Sequence, residues 1–204
     1  MAKLKEKVSI EEILIDEIEN SSTNDWDELC NACSSLIKDA KMTDKDIDNI
    51  VKKVNEYKNN YDLIIFTQDT HYDDYLDTQE GKKLPVEHCI RGTNGWEIVD
   101  EINYKKCEKF NNFAVCRKST FGFDDWGWEE GFNNTDDSLL DIEIIGLCTD
   151  ICVITNALLI KTYYPEAKIT VDASCCAGST PERHKAALDV MKSCQINVIG
   201  ESDE

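Results

Sequence analysis

Positive charge is what this chain has least of. Its 22 lysines and arginines stand against 41 aspartates and glutamates, giving a net charge of −19 and a pI near 4.5. Nucleic acids and anionic membrane surfaces are polyanions, so this balance argues against both as partners. Long apolar runs are also missing, and none reaches the length of a membrane span. The N-terminus, Met1-Ala-Lys-Leu-Lys-Glu-Lys7, lacks the apolar core of a signal peptide, which points to a cytoplasmic protein. Histidine is scarce, with three in the chain, and two of them flanking one loop is a weak pointer to a shared role. Cysteine is not scarce. There are ten, but Cys148, Cys152 and Cys194 sit in or beside apolar elements and Cys175 and Cys176 are adjacent. Cys30 and Cys33 form a lone Cys-x-x-Cys pair with no second pair to complete a zinc ribbon. Reduced thiols in a reducing compartment are the simplest reading.

Two regimes meet near Tyr57 to Tyr61. Residues 1–57 read as helical. Ser9 and Glu12 make a capping box ahead of Ile10, Ile13, Leu14 and Ile18. A second helix starts at Ser22 to Asn24 and carries Leu29, Cys33, Leu36 and Ile37. A third begins at Thr43 and repeats Ile47, Ile50, Val51 and Val54 at helical spacing. From residue 58 onward, strands alternate with helices. Strands are expected at Asp62–Gln68, Ile142–Leu147, Lys168–Asp172 and Ile196–Ile199, and helices at Cys152–Tyr163 and Pro181–Cys194, the latter capped by Thr180. That alternation implies an α/β fold, a parallel sheet with helices on both faces, behind an atypical helical N-terminal segment. Ligands then bind beyond the carboxyl ends of the strands. Between Asp69 and Asp141 the chain is polar, aromatic and aperiodic, and a loop region of that size is usually functional.

Three features carry chemistry. In Asp141-Ile-Glu-Ile-Ile-Gly-Leu-Cys-Thr-Asp-Ile-Cys152, a strand runs into a short turn and Cys152 stands where an apolar helix begins. The helix dipole and unpaired N–H groups there favour thiolate over thiol. The Gly146–Asp150 turn offers backbone donors for an oxyanion. The bland alternative is a buried cysteine packing as a small hydrophobe. Second, Asp69-Thr-His71 at a strand end, with His88 further on, makes a three-ligand set for a divalent metal that leaves positions open for water or substrate. Otherwise Asp69 caps a turn and the histidines lie on the surface. Third, Lys118 in Cys116-Arg-Lys-Ser-Thr-Phe-Gly-Phe123 could hold a thiolate and a developing oxyanion by charge, although most lysines are solvated surface charges.

These ordered motifs resemble the isochorismatase-like cysteine hydrolases, and among them the nicotinamidases. Gly146-Leu-Cys-Thr-Asp-Ile-Cys152-Val is similar to the family's nucleophile turn. Asp69-Thr-His71 and His88-Cys-Ile-Arg-Gly-Thr93 match its metal-binding segments, Lys118-Ser-Thr-Phe its lysine segment, and Asp172-Ala-Ser-Cys-Cys-Ala-Gly178 with Pro181-Glu-Arg-His184 its closing strand and helix. The resemblance spans residues 58–204 and implies a three-layer, Rossmann-like hydrolase domain. It implies that Cys152 attacks a small amide such as nicotinamide, giving a thioester and releasing ammonia. Lys118 then supports the thiolate and the tetrahedral intermediate. A cis peptide would fall between Leu147 and Cys148, with the amides of Cys148 and Cys152 as oxyanion donors. Asp69, His71 and His88 would hold zinc, iron or manganese, which in nicotinamidases coordinates the pyridine nitrogen. His184, to which the resemblance carries no role, is expected only to cap or cover the last helix.

One departure stands out. The family opens with an apolar strand ending in Val-Asp-x-Gln-Asn-Asp-Phe, whose last aspartate takes the thiol proton. This chain has no such run. Asn24-Asp25-Trp26 is the nearest echo, and Asp16 is the other candidate. A catalytically silent relative that binds a ligand or partner is therefore the alternative to a nicotinamidase-like amidohydrolase. A vinyl-ether hydrolase is a third reading, which the metal histidines oppose because that chemistry does not need them. Resemblance suggests a homo-oligomer, though the apolar faces could equally close the monomer.

Overall fold

The computed structural model describes residues 44–57, 63–98, 113–126 and 137–201. The two helices expected before Thr43 lie outside the described residues, as do Asp16, Asp25, Cys30 and Cys33. Residues 51–57, 63–98 and 113–119 gather into one compact unit, and residues 44–50, 120–126 and 137–201 into a second. The third expected helix is present as α1, Asp44–Tyr57, with Ile50 and Val54 buried one turn apart on one face.

In the first unit, β1 (Ile64–Asp69) pairs in parallel with β2 (Phe113–Lys118), in a register running from Ile64 opposite Phe113 to Asp69 opposite Lys118. β2 is a correction, since the sequence around it reads as loop. Within Phe113-Ala-Val-Cys-Arg-Lys118, Cys116 and Lys118 are buried while Phe113 and Arg117 are exposed. An exposed phenylalanine and a buried lysine invert the usual alternation, so the two-residue period is hidden. Between the strands, the five-residue helix α2 (Gln79–Lys83) is capped by Thr78, whose hydroxyl oxygen accepts the Gly81 N–H at 3.0 Å.

The second unit holds a three-stranded parallel sheet in the order β3 (Asp141–Leu147), β4 (Lys168–Ala177), β5 (Asn197–Ile199). Parallel neighbours need crossovers, which α3 (Ile154–Tyr163) and α4 (Pro181–Ser193) provide. Thr180 caps α4 as expected, accepting the Arg183 N–H at 3.2 Å. β4 runs past its expected end at Asp172 to Ala177, because Ala173, Cys175, Cys176 and Ala177 are small enough to be buried there. Ile169, Val171, Cys175, Leu188 and Met191 are almost wholly buried between strand and helix. Each of the larger ones contributes about 1.5–3 kcal/mol by leaving water. Asn49 of α1 belongs to this unit and donates its side-chain amide to the Ser174 carbonyl at 2.8 Å. Among the described residues no disulfide is present, and no helix is long and apolar enough to cross a membrane.

Candidate active site

The strand register of the first unit brings Asp69, His71 and His88 together as a set that could hold a metal ion. β1 ends at Asp69, and the chain beyond it stays stitched to its neighbours. The Thr70 N–H donates to the Lys118 carbonyl at 2.8 Å, the His71 N–H to Cys89 at 2.9 Å, and the Arg91 N–H back to His71 at 2.9 Å. Those bonds bring the His88 segment alongside His71. One ligand atom from each of Asp69, His71 and His88 then lies within 4.8 Å of the others. His71 Nε2 is 3.5 Å from Asp69 Oδ2, and His88 Nε2 is 4.0 Å from the same oxygen. Two ligands about 2.1 Å from a tetrahedral ion stand roughly 3.4 Å apart, so a small contraction closes the set on a metal.

The donor chemistry fits a metal as well. His88 Nδ1 lies 2.9 Å from the Val86 carbonyl, which can only accept, so the proton sits on Nδ1 and leaves the Nε2 lone pair for a ligand. His71 Nε2 is buried and makes no hydrogen bond. At 3.5 Å its attraction to Asp69 is chiefly electrostatic. Burial alone would raise the Asp69 carboxyl, but His71, Lys118 and His88 outweigh it and hold that group below the usual aspartate value. For His71, burial opposes the charged ring, and the nearby carboxylates of Asp69 and Glu80 prevail and lift it above the usual histidine value. Tyr75, fully buried, packs edge-on against both rings at centroid distances of 4.7 and 4.9 Å and donates its hydroxyl to the Leu84 carbonyl.

Sequence reasoning missed Glu80. Its Oε1 lies 3.9 Å from His71 Nε2 and 3.8 Å from His88 Nε2, so a second carboxylate flanks the two histidines. In a chain with 41 acidic residues nothing marks this one out beforehand. Lys118 is the opposite case. It is buried, not a solvated surface charge, and its ammonium stands 3.4 Å from Asp69 Oδ1. One carboxylate therefore faces the histidines through one oxygen and the lysine through the other.

Cys152 belongs to the second unit. The Leu147–Cys148 peptide is cis, at the position the resemblance implied. The preceding Gly146 has φ +126°, a conformation that L side chains rarely adopt, with no neighbouring atom within 4 Å to forbid one on space alone. Thr149–Val153 forms a π-helical turn with Cys148 as N-cap, and α3 continues from it. Helical geometry therefore begins three residues before the expected start, and half-buried Cys152 sits inside the turn. The Ile151 and Val153 N–H groups both donate to the Cys148 carbonyl at 3.1 Å. Two contacts fasten the turn, one to the segment just after β4 and one to α4. The Asp150 carboxylate accepts the Ser179 N–H at 2.7 Å and the Ser179 hydroxyl at 2.5 Å. Fully buried Thr149 meets His184 Nδ1 at 2.8 Å. His184 therefore does more than cover its helix: it touches the turn that carries Cys152. Burial pushes the Cys176 thiol up to about 12, which makes it a poor nucleophile.

Parallel strands end at the Asp69, His71 and His88 set in the first unit and at the cysteine turn in the second, the pattern of an α/β protein with its chemistry at strand ends. Residues 28–203 match the family model described as the isochorismatase domain. The chain belongs to the isochorismatase family. It is 28% identical over 177 residues to a nicotinamidase of Schizosaccharomyces pombe, covering 73% of this chain and 78% of that one. Among solved structures, a nicotinamidase from Bacillus subtilis superposes with a TM-score of 0.63 at 26% identity, covering 76% of this chain and 84% of that one. A pyrazinamidase/nicotinamidase from Streptococcus mutans gives a TM-score of 0.62 at 25% identity, covering 78% and 87%.

Proposed function

We propose that this protein is a metal-assisted, cysteine-dependent amidohydrolase acting on nicotinamide or a similar small amide. The observation that carries the reading is the Asp69, His71 and His88 cluster, with its orphaned, buried His71 Nε2, in a chain whose relatives are named nicotinamidases. Those relatives also favour the catalytic reading over a silent binding protein. In this proposal Cys152 attacks the amide carbonyl, the Cys148 and Cys152 amides receive the oxyanion, ammonia leaves, and water hydrolyses the thioester. Lys118 supports the thiolate and the tetrahedral intermediate by charge. Asp69, His71 and His88 hold a divalent ion, with Glu80 as the nearest additional oxygen donor. Such an ion supplies an electrophilic anchor for a ring nitrogen of the substrate. The thiol proton goes to a carboxylate of the N-terminal segment, with Asp25 the first candidate and Asp16 the second. The test is ammonia release from nicotinamide by purified protein reconstituted with zinc, iron or manganese. Wild type should turn over and Cys152→Ala should not. Equal rates for the two would defeat the proposal.

A further inference from the structure

We infer that Asn156 is a positioning residue for Cys152, an assignment that rests on the reading of Cys152 as the nucleophile. Asn156 lies one turn into the helical segment beyond Cys152 and is 5% exposed. Asparagine is a weak helix former, so propensity does not explain it there. Its side-chain amide is committed at both ends. Nδ2 donates to the carbonyl of Cys152 itself at 3.0 Å, and Oδ1 accepts the buried N–H of Phe123 at 2.8 Å. One side chain thus ties the peptide plane of the nucleophile to the segment that follows the Lys118 strand. That segment is seated tightly on the same helix. A Cβ on Gly122 would stand 2.6 Å from Leu159 Cδ1 and 2.7 Å from Thr155 Cγ2, so any larger residue would make those side chains shift. Phe123 is itself buried, edge-on to Trp126 at 5.2 Å.

The tie falls where the π-turn gives way to the α-helix, the place at which helical hydrogen bonding changes register. Thr155 does a similar thing one residue earlier, donating its hydroxyl to the Ile151 carbonyl at 2.6 Å. Because the Cys152 carbonyl defines the plane between Cys152 and Val153, losing the Asn156 donor frees the rotation that aims the sulfur. A misplacement of about 1 Å at a reacting group can cost about a hundredfold in rate, and a loss confined to the chemical step leaves KM unchanged.

The experiment compares Asn156→Ala, Asn156→Asp and Asn156→Ser with wild type, all checked for folding by circular dichroism. It measures kcat and KM for ammonia release and the rate at which iodoacetamide labels Cys152, read by peptide mass spectrometry. Alanine removes both bonds, and aspartate keeps the acceptor for Phe123 but loses the donor. Serine can still donate to the carbonyl four residues back. The expected result is a kcat at least about tenfold lower for alanine and aspartate, with KM within about twofold and Cys152 labelling altered in step. Serine should recover kcat to within about threefold of wild type. Folded alanine or aspartate variants with wild-type kcat, a change confined to KM, or a serine variant as slow as aspartate would overturn the assignment. If alanine does not fold, the aspartate and serine pair decides it. Ammonia release by Cys152→Ala at the wild-type rate would sink the nucleophile reading instead, while labelling of Cys152 still reports whether Asn156 holds the sulfur.

Discussion

Replacing Asp150 by alanine should loosen the turn that carries Cys152. Its carboxylate takes two short bonds from Ser179, at 2.7 Å from the N–H and 2.5 Å from the hydroxyl, and Ser179 is 9% exposed. Bonds to a carboxylate contribute about 1.5–3 kcal/mol each, and the part-buried setting favours the lower end, so the pair amounts to about 3 kcal/mol. The loss includes two donors left without an acceptor, since Arg183 reaches Ser179 only as a further donor, at 3.2 Å. Asp150→Asn keeps one acceptor but must point an NH2 group at a donor, so it should lose roughly half as much. A destabilisation of about 3 kcal/mol is roughly a hundredfold in the folding equilibrium and lowers Tm by about 6–12 °C in a chain of this size. Urea unfolding followed by circular dichroism gives the free energy, and a thermal melt gives the midpoint. An alanine variant within about 0.5 kcal/mol of wild type would refute the view that this contact fastens the turn.

Alanine at Asp69, His71 or His88 should each weaken zinc binding at least about tenfold, measured by calorimetric titration of chelator-stripped protein. Binding unchanged in all three would remove the metal centre. The same titration should depend on pH in a definite direction. A metal takes the neutral imidazole, and His71 holds its proton more tightly than usual, so affinity should fall as pH drops through that raised value. Asp69, held below its usual range, adds no proton competition until much more acid conditions. In metal-free protein the sign reverses. The His71 contribution to stability is fully present below about pH 6.5 and is lost as pH rises through the raised value. Denaturant midpoints across that interval check it.

What could be read in advance was local. The Asp69, His71 and His88 set announces itself because a strand end, an Asp-x-His step and a second histidine are each recognisable without knowing what lies opposite. The turn before Cys152 is legible for the same reason, its Gly-Leu-Cys-Thr-Asp segment being contiguous. What escaped was set by partners distant in sequence. β2 is a strand because β1 pairs with it, and its buried Lys118 hides the pattern that would have revealed it. Glu80 becomes relevant only when α2 carries it over two histidines. His184 reads as a helix residue, and only the approach of β3 to β4 hands it Thr149 as a partner. The extension of β4 through Cys175 and Cys176 was hidden by small residues that resemble a turn until they are buried.

The most direct measurement is to quench the metal-loaded protein in acid during turnover of nicotinamide and map the digest by mass spectrometry. A nicotinoyl group on the peptide containing Cys152, absent from Cys152→Ala, is the predicted result. Turnover that proceeds with an acyl group on another residue, or undiminished in Cys152→Ala, would contradict the account.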